Sequence, residues 1–312
     1  MKIVFFGTGA FGIPSLEALR QSTHEILAVV TAADKPQGRS LKPFASPVKS
    51  WAAEHQTTVF HYLKLNSEEA VGRLKELAAD LFVVIDFGII LSKELLAAPR
   101  VMAVNVHGSL LPRHRGAAPV PWTILGGDAQ TGVSVIRMTE KLDAGDILVQ
   151  RRTPVSAEDD AVTLEDKLSE LGAEALVNAL EKIEKGSAHF QVQDESLATY
   201  ARKLSKSDGR IDWGKPAHEI VRHVRAMNPW PGTHTFSGGK RMIVLKAGLA
   251  EKFSVKEARP GSVIAASEKE GLVVAAGGGA VRIADLQLEG KRPLAAAEFL
   301  KGFRLATGAI LE

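Results

Sequence analysis

Two stretches of this chain combine residue types that can do polar chemistry: Val104–Pro119, VNVHGSLLPRHRGAAP, and Glu140–Leu148, EKLDAGDIL. Asn105 and His107 stand two apart at the end of an apolar run, so the two-residue period of a strand puts both side chains on one face. Gly108 then releases the chain into a loop. Asp143 follows the next apolar run, and in a parallel sheet such loops emerge together at the carboxyl edge, where open α/β sheets bind ligands. Amide, imidazole and carboxylate at one edge suit acyl transfer to an amine. Asn105 can donate to the oxyanion formed as a carbonyl is attacked. His107 can donate to the same oxygen or move a proton, and Asp143 would orient the imidazole and favour imidazolium. The amine is itself the nucleophile, so no Ser or Cys is required. Any one of the three, taken alone, is an ordinary hydrogen-bonding residue. One His and one Asp without further spaced ligands make a poor metal site, and no metal is expected.

The elements that must position these groups alternate. Apolar runs at Ile3–Phe6, Ile26–Val30, Leu81–Ile85, Val101–Val106 and Val133–Met138 read as buried strands. Helical patterns fall at Pro14–Gln21, Pro47–His55, Ser67–Leu77 and Pro119–Leu125. Thr163 to Lys185 carries one apolar stripe, with Thr163 as the expected cap and Gly186 as the stop. The alternation predicts an α/β domain, Rossmann-like with a mostly parallel sheet, over residues 1–187. Residues 188–206 are polar and aperiodic and read as a linker. Short strands at Met242–Leu245, Gly261–Ala265, Leu272–Ala276 and Val281–Leu288, broken by glycines, predict a small OB-like β-barrel over 207–312.

Near the start, Gly7-Thr-Gly9-Ala-Phe-Gly12 has the spacing of a dinucleotide fingerprint. Such a site also needs an acidic residue at the end of the second strand. That strand ends Val29-Val30-Thr31-Ala32-Ala33, and Asp34 follows only once the chain has left the sheet. The glycines therefore read as a strand-to-helix turn, whose helix start can still meet some other anion. The 312 residues suggest two domains, and the absence of cysteine excludes disulfides and thiolate catalysis. No apolar run is long enough for a membrane helix or a signal segment, so a cytoplasmic protein, not membrane-bound, is expected. The net charge of +3 is uneven: residues 203–312 hold 18 Lys and Arg against 11 Asp and Glu, a balance that fits a merely solvated surface and a module touching phosphate equally.

With "LDAGD", the stretch NVHGSLLPRHRGAAP resembles the signature of the folate-dependent formyltransferases. The loop DKPQGRSLKPFASPVK (34–49) is similar to a basic insertion in the members whose acceptor is methionyl-tRNA. DGRIDWGKPAHEI, RAMNPWPGTHT and LQLEGKRPLAAAEFLKGFRL are similar to segments of those members' C-terminal domain. The resemblance covers essentially the whole chain. It implies 10-formyltetrahydrofolate as formyl donor, methionyl-initiator tRNA as acceptor, and a role in translation initiation. Asn105, His107 and Asp143 match the catalytic trio, and Ser109, Leu110, Leu111 and Pro112 the folate-contacting segment. Asp86, Phe87, Gly88 and Ile89 stand at the pterin edge, where the family more often has Ala-Tyr-Gly-Leu; Asp86 can bond a pterin amino group or cap local backbone.

Arg39, with Lys35 and Lys42, is expected to grip tRNA from the basic loop. Arg222, Arg225, Lys240 and Arg241 are candidates for tRNA backbone contacts, whereas Trp213, Trp230 and Pro231 are expected to pack the barrel. A monomer is expected. The competing readings are a formyltransferase with a small-molecule amine acceptor, an NAD-dependent oxidoreductase resting on the glycine turn, and an idle tRNA-binding protein.

Overall fold

The computed structural model describes residues 1–33, 35–37, 42–255 and 258–312, with 35–37 and 42–44 as backbone only. In chain order the first strands are β1 (Lys2–Gly7), β2 (Glu25–Thr31), the hairpin β3 (Lys35–Gln37) and β4 (Lys42–Phe44), and β5 (Val59–His61). They are followed by β6 (Leu81–Ile85), β7 (Met102–His107), β8 (Gln130–Arg137) and β9 (Ile147–Pro154). The helices among them are α1 (Ile13–Gln21), α2 (Pro47–Glu54), α3 (Glu68–Glu76), α4 (Lys93–Leu96), α5 (Pro119–Gly126) and α6 (Ala161–Glu184). Two compact units result. The first comprises Met1–Pro119, Gln130–Pro154 and Glu165–Arg202; the second comprises Val120–Ala129, Val155–Leu164 and Lys203–Glu312.

The first unit is built on a seven-stranded sheet in the order β5-β2-β1-β6-β7-β8-β9. The first five of these strands run parallel, and the residues of β1 from Ile3 to Phe6 and of β6 from Leu81 to Ile85 are buried, as strands covered on both faces must be. β2 and β6 flank β1 on opposite sides, so the order of connections reverses between β1 and β6. That reversal opens a crevice at the carboxyl ends of the two strands. Apolar side chains from the sheet, α3 and α4 fill one core there, among them Val4, Phe6, Val30, Leu74, Phe82 and Leu95.

Parallel pairing stops at β7. β8 runs antiparallel to it, with Asn105 opposite Ile136 and His107 opposite Ser134, and β9 is antiparallel to β8. The loop carrying Asp143 therefore leaves β8 at the end opposite His107, contrary to the route expected for parallel strands. It reaches Asn105 and His107 by doubling back. Gly145 makes the return possible, since a Cβ there would lie 1.7 Å from the Arg137 carbonyl oxygen. Asp143 itself takes a left-handed φ of 50°, which Asp tolerates better than most residues.

Residues 188–202 are more than a connection. Ile147 and Gln191 exchange backbone hydrogen bonds of 2.8 Å, Arg115 donates to Thr199, and Ala201 donates back to Arg115. The segment expected to be a linker is a strap sewn onto β9 and onto the loop after β7. Its polarity reflects side chains that bond to other loops, a pattern that periodicity does not register. The cap of α6 also differs from expectation. Asp160 Oδ1 accepts from the backbone of Val162 and Thr163, while the Thr163 hydroxyl accepts from Asp160 N, a reciprocal cap that starts the helix two residues before Thr163. Gly186, at φ 65°, ends it.

In the second unit β10 (Thr233–Ser237), β11 (Lys240–Leu249), β12 (Val263–Ser267), β13 (Gly271–Ala275), β14 (Ala280–Leu288) and β15 (Leu294–Ala295) form an antiparallel sheet. The order is β10-β11-β14-β13-β12, with β15 on β14. The chain end bridges its two edges: Phe236 and Glu312 exchange backbone bonds of 3.0 Å, and Leu311 donates to Gly261. β10 shows no apolar run in the sequence because its buried positions Thr233, His234 and Thr235 are polar. Of their side chains, Thr235 is the one tied into a hydrogen-bond chain, while the Thr233 hydroxyl and His234 Nδ1 have no hydrogen-bond partner. Trp213 Nε1 donates to the Thr235 hydroxyl, which donates to the Glu312 carbonyl. α7 (Ala217–Met227) and α8 (Ala296–Gly302) complete the core around Trp213, Ile220, Val224, Val274 and Phe299. Among the described residues no helix is long and apolar enough to cross a membrane.

Replacing the reciprocal cap tests the reading of α6. Asp160→Ala is expected to lower unfolding stability by about 1 kcal/mol, measured by urea titration followed by circular dichroism. An unchanged midpoint would refute the assignment of the cap.

Candidate active site

His107 ends β7 and is buried, as a residue beside the strand's last apolar positions should be. Its Nδ1 lies 3.7 Å from Asp143 Oδ2, and its Nε2 lies 2.8 Å from the carbonyl oxygen of His114. A carbonyl offers only lone pairs, so Nε2 carries hydrogen and Nδ1 is the nitrogen that addresses the carboxylate. Asn105, two residues earlier on the same face, donates from Nδ2 to Asp143 Oδ1 over a long 3.4 Å. The shortest bond to the carboxylate comes from an unanticipated source: the backbone N–H of Gly116, 2.8 Å from Asp143 Oδ2. Imidazole, amide and carboxylate thus converge in the first unit.

The loop between β7 and α5 is fixed from below. Ser109 is fully buried and donates to the Arg113 carbonyl at 2.6 Å, while its own carbonyl accepts from Ser134 Oγ at 2.7 Å. Ser134 Oγ accepts from Leu111 N, and Gln150 Nε2 donates to the Leu111 carbonyl. Leu111 packs with Ile136 and Ile147. Of the four residues expected to touch folate here, Ser109 and Leu111 turn their side chains inward, and Leu110 and Pro112 are partly exposed. At the other predicted patch Phe87 meets Phe6 edge-on, with centroids 5.6 Å apart, and Ile89 packs on the same core. Gly88 is exposed, and Asn66 pins the following backbone by bonding the Ile90 carbonyl and Ser92 N–H, each at 2.9 Å.

Asp86 resolves the glycine turn. It leaves β6 with φ 47° and its backbone carbonyl accepts from Thr8 N. Its carboxylate accepts from Gly9 N–H and lies so close that a Cβ on Gly9 would sit 1.8 Å from Oδ2. The turn at the β1–β6 crevice therefore faces a negative group of the protein's own, an unfavourable setting for a pyrophosphate. The smallness of Gly9 serves Asp86. The residue as a whole is exposed, but packing of its carboxyl against the glycine turn desolvates that group and raises it above its ordinary range, against the lowering effect of the Gly9 bond. Glu165, at the start of the first-unit part of α6, is raised by desolvation and by the negative charge of Asp86.

Several functional candidates of the sequence lie elsewhere. Arg39 falls outside the described residues, as do the side chains of Lys35 and Lys42. Arg225 is half-buried and donates from Nη1 to the carbonyls of Asp159 and Ser156 at 2.6 and 3.3 Å. Arg222 is half-buried beside Gly127, with Nε lacking a hydrogen-bond partner. Lys240 is exposed, 5.4 Å from the Phe303 ring centre, and Arg241 pairs with Glu289 at 3.1 Å. Trp213 is buried and packs the barrel as expected, but Trp230 is 51% exposed and does not. Sequence reasoning also passed over Arg115 and Gln193. The first was visible only as one member of a basic cluster, and the second carried no signal at all. Among the described residues no three His, Asp or Glu converge as metal ligands would.

Residues 1–180 match the formyl transferase family, and residues 203–304 match the formyl transferase C-terminal domain. The chain belongs to the formyl transferase family. It is accordingly a formyl-transferring enzyme, and the site at the end of β7 lies in the matched N-terminal region. Its relatives include a methionyl-tRNA formyltransferase of Geotalea daltonii, 43% identical over all of this chain and 98% of that one. Another, of Coxiella burnetii, is 44% identical over 96% of this chain and 95% of its own length. Solved structures share the fold at lower identity. WlaRD, a sugar 3N-formyl transferase crystallised with dTDP and 5-N-formyl-THF, superposes with a TM-score of 0.65 at 18% identity, over 94% of this chain and 99% of that one. HypX of Aquifex aeolicus in complex with tetrahydrofolic acid gives 0.62 at 20%, over 96% of this chain and 47% of that one, so the chain spans about half of HypX.

The raised Asp86 carboxyl has a consequence for stability. An acid whose pKa is higher in the folded state binds protons there more tightly, so folding loses stability as pH rises through the interval above the ordinary Asp value. Asp86→Asn keeps an acceptor for Gly9 N–H and suits the left-handed backbone. It is expected to raise Tm at pH 7.5 relative to wild type, and this advantage should vanish on acidification, by calorimetry across pH. A lower Tm at pH 7.5 would contradict the assignment.

Proposed function

We propose that this enzyme transfers the formyl group of 10-formyltetrahydrofolate to the α-amine of methionyl-initiator tRNA, in the cytoplasm, at the start of translation. The methionyl-tRNA formyltransferases that match it end to end support the acceptor. Folate-bound relatives in fold support the donor. The observation that carries the chemistry is the approach of Asn105 Nδ2 and His107 Nδ1 to one carboxylate, at 3.4 and 3.7 Å.

In this reading the methionyl amine attacks the formyl carbon, a C–N bond forms, and the carbonyl pair moves to oxygen. Asn105, weakly held by Asp143, swings its N–H toward that oxyanion. His107 exchanges its His114 carbonyl for the substrate, and Asp143 balances the positive charge on the imidazole while the proton moves. The intermediate collapses by breaking the bond to folate N10; the amine loses a proton, N10 gains one, and tetrahydrofolate leaves. The folate lies along the backbone of 86–89 and 109–112, because Phe87, Ser109 and Leu111 face the core. Arg39, Lys35 and Lys42 meet the acceptor end. Lys240 and Arg241, on the basic second unit, contact phosphates, so tRNA binding weakens as salt rises.

A small-molecule acceptor is the second reading, favoured by the likeness to a sugar formyltransferase. The surplus of Lys and Arg in 203–312 argues against it, because a small amine has no use for such a surface.

Asn105→Ala and His107→Ala are each expected to lower kcat for methionyl-tRNA formylation by at least ~100-fold, the scale of losing one oxyanion donor. Folate binding, followed by fluorescence, should persist in both. Near-native turnover in both would overturn the mechanism. Faster formylation of an amino sugar or a glycinamide nucleotide than of charged initiator tRNA would overturn the acceptor.

A further inference from the structure

Gln193 lies on the strap, 5% exposed, and its amide uses every hydrogen-bonding position it has. Nε2 donates to the carbonyl of Asp143 at 2.8 Å and to that of Gly145 at 2.7 Å. Oε1 accepts from Arg115 Nε at 3.0 Å and Nη2 at 2.8 Å. The reversed amide would set its NH2 against a guanidinium and its oxygen against two carbonyls, so one orientation is fixed. Arg115 is 2% exposed, and its other guanidinium edge makes a two-pronged pair with Glu195 at 3.0 and 2.9 Å. Its charge is balanced there by a carboxylate at the surface.

The two carbonyls held by Gln193 belong to the left-handed Asp143 itself and to Gly145 two residues on, so these bonds pin the backbone that aims the Asp143 side chain. Arg115 precedes Gly116, whose N–H makes the shortest bond to that same carboxylate. Backbone and side chain of Asp143 are thus registered against one rigid group, the Glu195–Arg115–Gln193 relay. We infer that Gln193 is a positioning residue for the reaction: it fixes the Asp143 carboxylate against His107 and Asn105, and Arg115 with Glu195 holds it in place. The inference rests on the formyl-transfer reading only for its kinetic effect, since the geometry it describes exists without substrate.

Gln193→Glu is the informative change. It preserves size and still accepts from Arg115, but replaces the two donors to Asp143 and Gly145 with an acceptor facing acceptors. The expected result is a fall in kcat of at least ~10-fold, with KM for 10-formyltetrahydrofolate and for methionyl-tRNA within about threefold of wild type. In an Asp143→Asn background the same change should cost less than about twofold, because the carboxylate it positions is gone. A full ~10-fold loss in that background, or wild-type kcat in the single variant, would overturn the inference.

A second measurement needs neither turnover nor substrate. The Gly116 amide proton, which meets a carboxylate, should move upfield in the NMR spectrum of Asp143→Asn and also shift in Gln193→Glu. An unmoved Gly116 resonance in Gln193→Glu would refute the positioning role. Should Gln193→Glu fail to fold, Glu195→Ala at the exposed end of the relay is read by the same resonance, with a smaller shift expected and no shift refuting it. If the wild-type protein forms no formylmethionyl-tRNA, the proposed function falls while the Gly116 shift still decides the inference.

Discussion

The carboxylate of Asp143 gathers segments that are far apart along the chain: Asn105 lies 38 residues before it, Gly116 27 before it, and Gln193 50 after it. A largely buried carboxylate is unfavourable unless hydrogen-bond donors and opposing charge replace the water it lost. That requirement makes the loop before β9, the loop after β7 and the strap fold as one object. Weaken the carboxylate's surroundings and the imidazole loses the group that faces its Nδ1. The long Asn105 contact is equally telling: at 3.4 Å it constrains the amide little and leaves its N–H available for a better acceptor.

The sheet supplies the frame for this arrangement. Five parallel strands put a crevice between β1 and β6, and β7 stands next to β6. The crevice is then given a negative wall. Asp86 lies on the glycine turn and Glu165 adds a second carboxylate within electrostatic reach. A fold commonly used for dinucleotides is thereby made uncongenial to a phosphate at the place where one would sit. In this chain the glycine turn packs against Asp86 at the end of β6, so a local geometry shared with dinucleotide sites is put to another use, which is how function is grafted on shared folds.

Much of the scaffold was legible beforehand. Buried parallel strands are continuous apolar runs, and β1, β2, β6, β7 and β8 announce themselves that way. α6 is long and striped, and the second unit's longer strands are set off by glycines. The pair Asn105 and His107 was readable from strand period alone, and Gly9 from the turn it must make. The direction of β8 was not readable, since a buried run looks the same in either orientation. The strap looked like a linker because its side chains bond to loops rather than to a repeating face. The sequence likewise holds no sign that Arg225 bonds the carbonyls at 156 and 159.

Local pattern, in short range, therefore settled which residues form strands and helices, which face Asn105 and His107 share, and that cysteine chemistry is absent. These depend on neighbours a few positions away, and period and composition record them. Tertiary structure alone decided that Gly116 bonds Asp143, that Asp86 covers Gly9, and that Gln193 joins Arg115 to the Asp143 turn. Each is a hydrogen bond or close approach between groups tens of residues apart, set by how loops return across the sheet. A one-dimensional pattern holds no record of such returns, because the chain pays no local energetic penalty or reward for them until the sheet exists.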